Sequence, residues 1–182
     1  MSAEASSPTS LRVPASMVEG LFVRALPADP DFHAALRAVG VDVEKLLPHY
    51  PVEVWQEAMA VARQHFHAGQ PRPQADWQLG RAFARGFLET LVGRVIAVTL
   101  PMLGPARLVE RIPRHLTMGR ADMRATVEPL GERERQVRIE ARHPLPDFMA
   151  GCIELMMERT KVKPQVEVLE RAQTSYTLRV RW

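Results

Sequence analysis

TSYTLRVRW, Thr174–Trp182, closes the chain, and its reading decides the fold class. Tyr176, Leu178, Val180 and Trp182 alternate with Thr177, Arg179 and Arg181. Successive side chains of a strand point to opposite faces, so a period of two predicts a strand with one face on a core and one in water. Lys163–Arg171 supplies its hairpin partner. Further upstream, Ala121–Glu128 puts Met123, Ala125 and Val127 on one face. Gln136–Arg142 sets Val137, Ile139 and Ala141 against Arg138, Glu140 and Arg142, and the link Pro129–Arg133 holds Gly131, a hairpin signal. A helix over Asp147–Thr160 separates the two hairpins.

Toward the N-terminus the period changes to that of helices. Val52–Ala68 carries Trp55, Ala58, Met59, Ala62 and Phe66 at helical spacing. Asp29 is an N-cap with Pro30 at the first helical position, and that short helix ends at Gly40. A long helix is predicted over Ala75–Leu100, apolar nearly all round after Phe87 and therefore buried on every side. Its Gly80, Gly86 and Gly93 are expected where a neighbouring backbone approaches closely. Pro101 is expected to end it, with a short successor over Gly104–Ile112. Val18–Leu26, apolar and β-branched and closed by Pro27, reads as a strand. Met1–Ser10, rich in Ser and Ala, is expected to be a disordered tail ahead of a single domain over residues 11–182. Helices first and hairpins later, without βαβ alternation, give α+β: a helical layer packed on one face of an antiparallel sheet.

Composition narrows the function classes. Of 182 residues 46% are apolar and 25% charged, as in ordinary globular domains. The 24 basic residues are interleaved with 21 acidic ones for a net +3, so no basic stripe points to nucleic acid. The longest apolar stretch, Val95–Leu103, is too short for a membrane span. Cys152 is the only cysteine, which excludes an intrachain disulfide and fits a reducing, cytoplasmic location.

Motifs for chemistry are missing. The chain has no GxGxxG, GxxxxGK[ST], HExxH, GxSxG or CxxC. His65 and His67 lie two apart on a helix and face different directions, so they cannot chelate one metal. His33, His49, His115 and His143 sit near turns or helix ends, each an ordinary half-exposed histidine or an axial haem ligand. Cys152 is a buried inert thiol unless a base stands nearby. Met149, Met156 and Met157 with Phe148 are either core filling or a soft surface for an apolar ligand. The outward Arg124, Arg138, Arg142, Arg179 and Arg181 form either a solvated face, interleaved with Glu128, Glu140 and Glu167, or an anion site.

VEGLFVRAL (Val18–Leu26), LLPHYPVEVWQEA (Leu46–Ala58), LGRAFARGFLETLVGRVI (Leu79–Ile96) and the terminal TLRVRW together resemble an uncharacterised paralogous family of myxobacterial proteins, a domain of unknown function. More distantly, a helix opening Asp147-Phe148-Met149-Ala150-Gly151 followed by a hairpin ending in an aromatic resembles the 4-vinyl-reductase-like domains. Those are similar to haem-dependent nitric-oxide sensors and to trafficking subunits that hold an acyl chain. The chain lacks the cysteine cluster of the first type and a histidine matching the haem motif of the second, so neither metal nor haem is implied. The glycines of the all-apolar helix, the adaptable Met149, Cys152 and Met156, and by analogy the distant relatives point to a non-catalytic binding or sensor module with an apolar small-molecule pocket between that helix and the sheet, its cofactor unknown. Gly86, Phe87, Gly93, Arg94, His115, Met149, Cys152 and Met156 would line that pocket. The alternative is a homodimeric interaction module, a signalling scaffold without a ligand. An enzyme ranks third, since no nucleophile–base or metal constellation is present.

Overall fold

The computed structural model describes residues 11–119 and 122–182. The tail expected at Met1–Ser10 lies outside the described residues. The architecture is α+β, with four strands in one antiparallel sheet and the helices gathered on it.

The C-terminal alternation becomes the sheet. β3 (Arg124–Gly131), β4 (Glu134–Glu140), β5 (Gln165–Arg171) and β6 (Ser175–Arg181) pair antiparallel in the order β3-β4-β6-β5. Val137 stands opposite Leu178 and Ile139 opposite Tyr176, all fully buried. On the other face Arg179 reaches Glu134 at 3.1 Å and Arg181 reaches Glu167 at 3.7 Å, the cross-strand pairing expected of a solvated face. Thr177 departs from the pattern: it is buried and bonds Glu170.

α8 (Pro146–Glu158) covers the inner face, and α4 (Arg72–Phe87) lies across α8. That crossing is made by small residues. A Cβ on Gly80 would collide with the Phe148 carbonyl oxygen, and one on Gly151 with the Trp77 carbonyl oxygen. The backbones therefore touch, and Cys152 Sγ donates to the Gly80 carbonyl at 3.2 Å. α3 (Val52–Phe66) adds Trp55, which meets Phe22 at 5.5 Å and Phe148 at 6.2 Å between ring centroids. α2 (Pro30–Ala38) begins as predicted, with Asp29 accepting from Phe32 N at 2.8 Å and Pro30 at its first position.

Three sequence expectations are corrected. Val18–Leu26 is not a strand. α1 (Ala15–Val18) runs into a π-helix, Glu19–Ala25, and together they bury Val18, Leu21 and Phe22 at helical spacing. Gly20 lets Phe87 of α4 come within van der Waals range of its backbone. A two-stranded ribbon unforeseen in the sequence, β1 (Arg12–Pro14) with β2 (His49–Pro51), lies beside it.

The long helix is two helices. α4 stops at Phe87, and α5 (Leu91–Leu103) leaves at 95°. Thr90 turns the corner: its Oγ1 donates to Phe87 O at 2.7 Å and accepts from Gly93 N at 3.1 Å, an N-cap. Pro101 does not end α5; Gly104, at φ 71°, does. α6 (Pro105–Glu110) and α7 (Ile112–Gly119) return to the sheet. No single described helix is long and apolar enough to cross a membrane.

Candidate functional site

The residues expected to line an apolar pocket separate into three groups. Gly86, Phe87 and Gly93 gather at the corner between α4 and α5. A Cβ on Gly86 would collide with the Gly20 carbonyl oxygen, and one on Gly93 with the Phe87 carbonyl oxygen. Phe87 stacks on Phe83 at 5.6 Å. Met149, Cys152 and Met156 lie on α8, where both methionines are half-buried against the core. Burial pushes the Cys152 thiol far above the ordinary thiol range, so it carries no thiolate at neutral pH. Arg94 on α5 and His115 on α7 are exposed. Partial burial, and then the Arg111 and Arg114 charges, lower the pKa of His115.

No three His, Cys, Asp or Glu side chains among the described residues could hold a metal ion. His65 Nε2 lies 3.3 Å from Asp29 Oδ1. His67 Nδ1 and His143 Nε2 are buried without hydrogen-bond partners among the described residues.

Two features offer binding surface instead. The first is α5, expected to be buried all round. Only Gly93 and Leu100 are buried on it. Leu91 is 83% exposed, Val95 70%, Val98 74% and Met102 84%, with Val92 beside them. The spacing of that row is four, three, four.

The second is a cleft of about 340 Å³ between α3, the start of α4 and the turn after β4. Arg63, Arg72, Arg142 and His143 line it, with the Gln56 and Gln173 amides. Arg63 Nη1 lies 2.8 Å from Asp76 Oδ1, and Arg72 Nε 3.5 Å from Asp76 Oδ2. Asp76 is buried. Sequence reasoning grouped Arg142 with the sheet arginines and missed Arg63 and Arg72. Arg63 and Asp76 stand thirteen residues apart across the Gly69–Pro71 turn, so no local spacing links them.

Comparison with known proteins gives a family and a fold. Residues 11–182 match the family described as Protein of unknown function (DUF2378). No curated protein matches the chain. Solved structures share the fold. One, from work on modulating haem redox potential through porphyrin distortion, aligns over 92% of this chain and 97% of its own, at 14% identity and a TM-score of 0.69. An oxygen-binding H-NOX domain related to soluble guanylate cyclases aligns over 91% and 90%, at 16% identity and a TM-score of 0.65. A variant of the T. Tengcongensis H-NOX aligns over 82% and 85%, at 15% identity and a TM-score of 0.62. The resemblance to haem-based sensor domains is thus a likeness of fold.

Proposed function

We propose that this chain, which belongs to the DUF2378 family of proteins of unknown function, is a non-catalytic binding module that docks through α5 onto a second copy of itself. The observation that carries this reading is the exposed row Leu91, Val95, Val98 and Met102. Spacing of four, three, four is the knobs-into-holes seam of two packed helices. Monomeric proteins rarely leave such a contiguous apolar face in water. A second copy presents the same seam, and a two-fold pair closes without further growth.

Charge favours the antiparallel pair. With the axis between Val95 and Val98, Leu91 meets Met102, Val95 meets Val98, and Arg94 faces Thr99. A parallel pair would instead bring two Arg94 side chains together and align the helix dipoles. Light scattering and native mass spectrometry test the reading. The chain should be a dimer in the micromolar range, and a Val95→Glu, Val98→Glu double variant a folded monomer whose melting temperature no longer rises with protein concentration. A monomeric parent chain would overturn it.

The neighbours in fold favour a second reading, an apolar small molecule held inside the domain. Their haem is the obvious candidate, and this chain's interior fits it poorly. A porphyrin needs an enclosed slot and an axial ligand aimed into it. Here Phe22, Trp55, Phe83 and Phe148 fill the space under α4 with ring centroids 5.4–6.3 Å apart. Gly80 and Gly151 close the crossing to backbone contact. Cys152 faces that closed crossing, and each of the six histidines is half-buried or exposed. An apolar ligand of another shape would have to repack Met149 and Met156.

A further inference from the structure

We propose that the arginine cleft between α3 and the turn after β4 is a binding site for a small organic anion, held by its carboxylate or phosphate group. The proposal is independent of α5.

Three guanidinium groups reach the cleft from separate parts of the chain: Arg63 from α3, Arg72 from the start of α4 and Arg142 from just beyond β4. One carboxylate answers them. Asp76, buried, is shared by Arg63 and Arg72. That ion pair fixes the Arg63 fork, whose side chain is only 19% exposed. Arg142 has no ion pair among the described residues. It also borders a neighbouring cleft, where Asp122 and Glu140 stand with Arg124 and Arg138. Positive charge is therefore in surplus on the α3 side. A concave surface lined by one sign of charge concentrates the opposite ion.

The remaining groups specify more than charge. Planar guanidinium forks match the paired oxygens of carboxylate and phosphate. His143 lines the same space, with its Nε2 buried and without a hydrogen-bond partner among the described residues. The Gln56 and Gln173 amides add further donors. Met59 and Leu145 give the cleft an apolar wall, which a bare inorganic ion would leave unused. The volume, about 340 Å³, is at the small end of ligand pockets, roughly 300–1,000 Å³.

Isothermal titration calorimetry at fixed ionic strength tests the proposal with three probes: inorganic phosphate, phenyl phosphate and benzoate. One saturable site should appear, with an aromatic probe tighter than inorganic phosphate; which of the two binds better identifies the head group. Arg142→Gln should weaken binding at least tenfold. Because Arg142 is exposed and has no ion pair among the described residues, that variant should melt like the parent. His143→Phe should weaken binding by a smaller factor, and Arg12→Gln, on β1, should leave it unchanged. Three results would overturn the proposal. They are no saturable heat with any probe at millimolar concentration, equal affinity in Arg142→Gln and the parent, or binding of inorganic phosphate alone.

Discussion

Gly80 and Gly151 are the residues on which the junction between helices and sheet turns, and each acts by lacking a side chain. The sequence exposes the cost of a helical glycine, about 1 kcal/mol relative to Ala, but not its return. The return is the α4–α8 crossing, where each glycine lies against a carbonyl of the other helix. Gly80→Ala should therefore destabilise by about 1–3 kcal/mol through overpacking, although Ala is the better helix former. Gly69→Ala is the contrast. It has open space around it and a φ of 81°, so its penalty of about 1–2 kcal/mol is backbone strain alone. Urea denaturation separates the cases when each is followed by Leu. At position 80 the penalty should rise further, and at position 69 it should stay level. Equal behaviour at the two sites would show that α4 and α8 yield to a side chain. Glycine placement was legible as a need for close packing, because a helix tolerates glycine only for a reason. Arg63, Arg72 and Arg142 were not legible as a group, since only the tertiary fold brings them to one cleft.

Among the elements, those with one buried face were readable and those defined by their ends were not. The strands β3 to β6 alternate because the sheet has a dry side and a wet side, so their register is written in the residues. Val18–Leu26 has no such constraint. A short apolar run satisfies strand and helix alike, and burial of Val18, Leu21 and Phe22 against α4 decided for the helix. The α4–α5 corner was hidden for a related reason. The apolar residues continue through it, and only Thr90 three residues before Gly93 marks the cap. Asp29, by contrast, announced its helix and carries a pH signature. Its bond from Phe32 N–H, with help from His65, lowers its pKa below the ordinary 3.8. A carboxyl whose folded pKa is depressed adds stability above its unfolded pKa, and that contribution disappears as pH falls through the lower folded value. Acid melts should show the domain losing stability below about pH 4, and Asp29→Asn should flatten that limb while leaving a capping side chain in place. An unchanged acid limb would place the titrating groups elsewhere.

The molecule as a whole keeps the architecture of its structural neighbours, and its own interior is filled by aromatic side chains. The architecture was readable from the C-terminal helix and hairpin, because they carry the strongest periodicity. The interior was not, because an all-apolar helix fits a buried element, a pocket wall or an exposed seam equally well. α5 is exposed, with Leu91 and Met102 more than four-fifths accessible. The aromatic cluster and the close approaches at Gly80 and Gly151 occupy the space between the layers. Packed interiors resist opening, because parting their side chains forfeits both dispersion attraction and apolar burial. A haem placed between α4 and α8 would part the two helices, expose Phe83 and Phe148, and have to find an iron ligand among histidines that are half-buried or exposed. Titration of the purified chain with hemin should therefore give no saturable one-to-one change in the Soret band and no rise in melting temperature. A ligand that binds the folded state at a hundred times its Kd would raise stability by about 2.7 kcal/mol, a shift of several degrees in a domain of this size. A saturable Soret shift, lost in one histidine variant and kept in the other five, would overturn the packing argument and move the binding site from the surface to the interior.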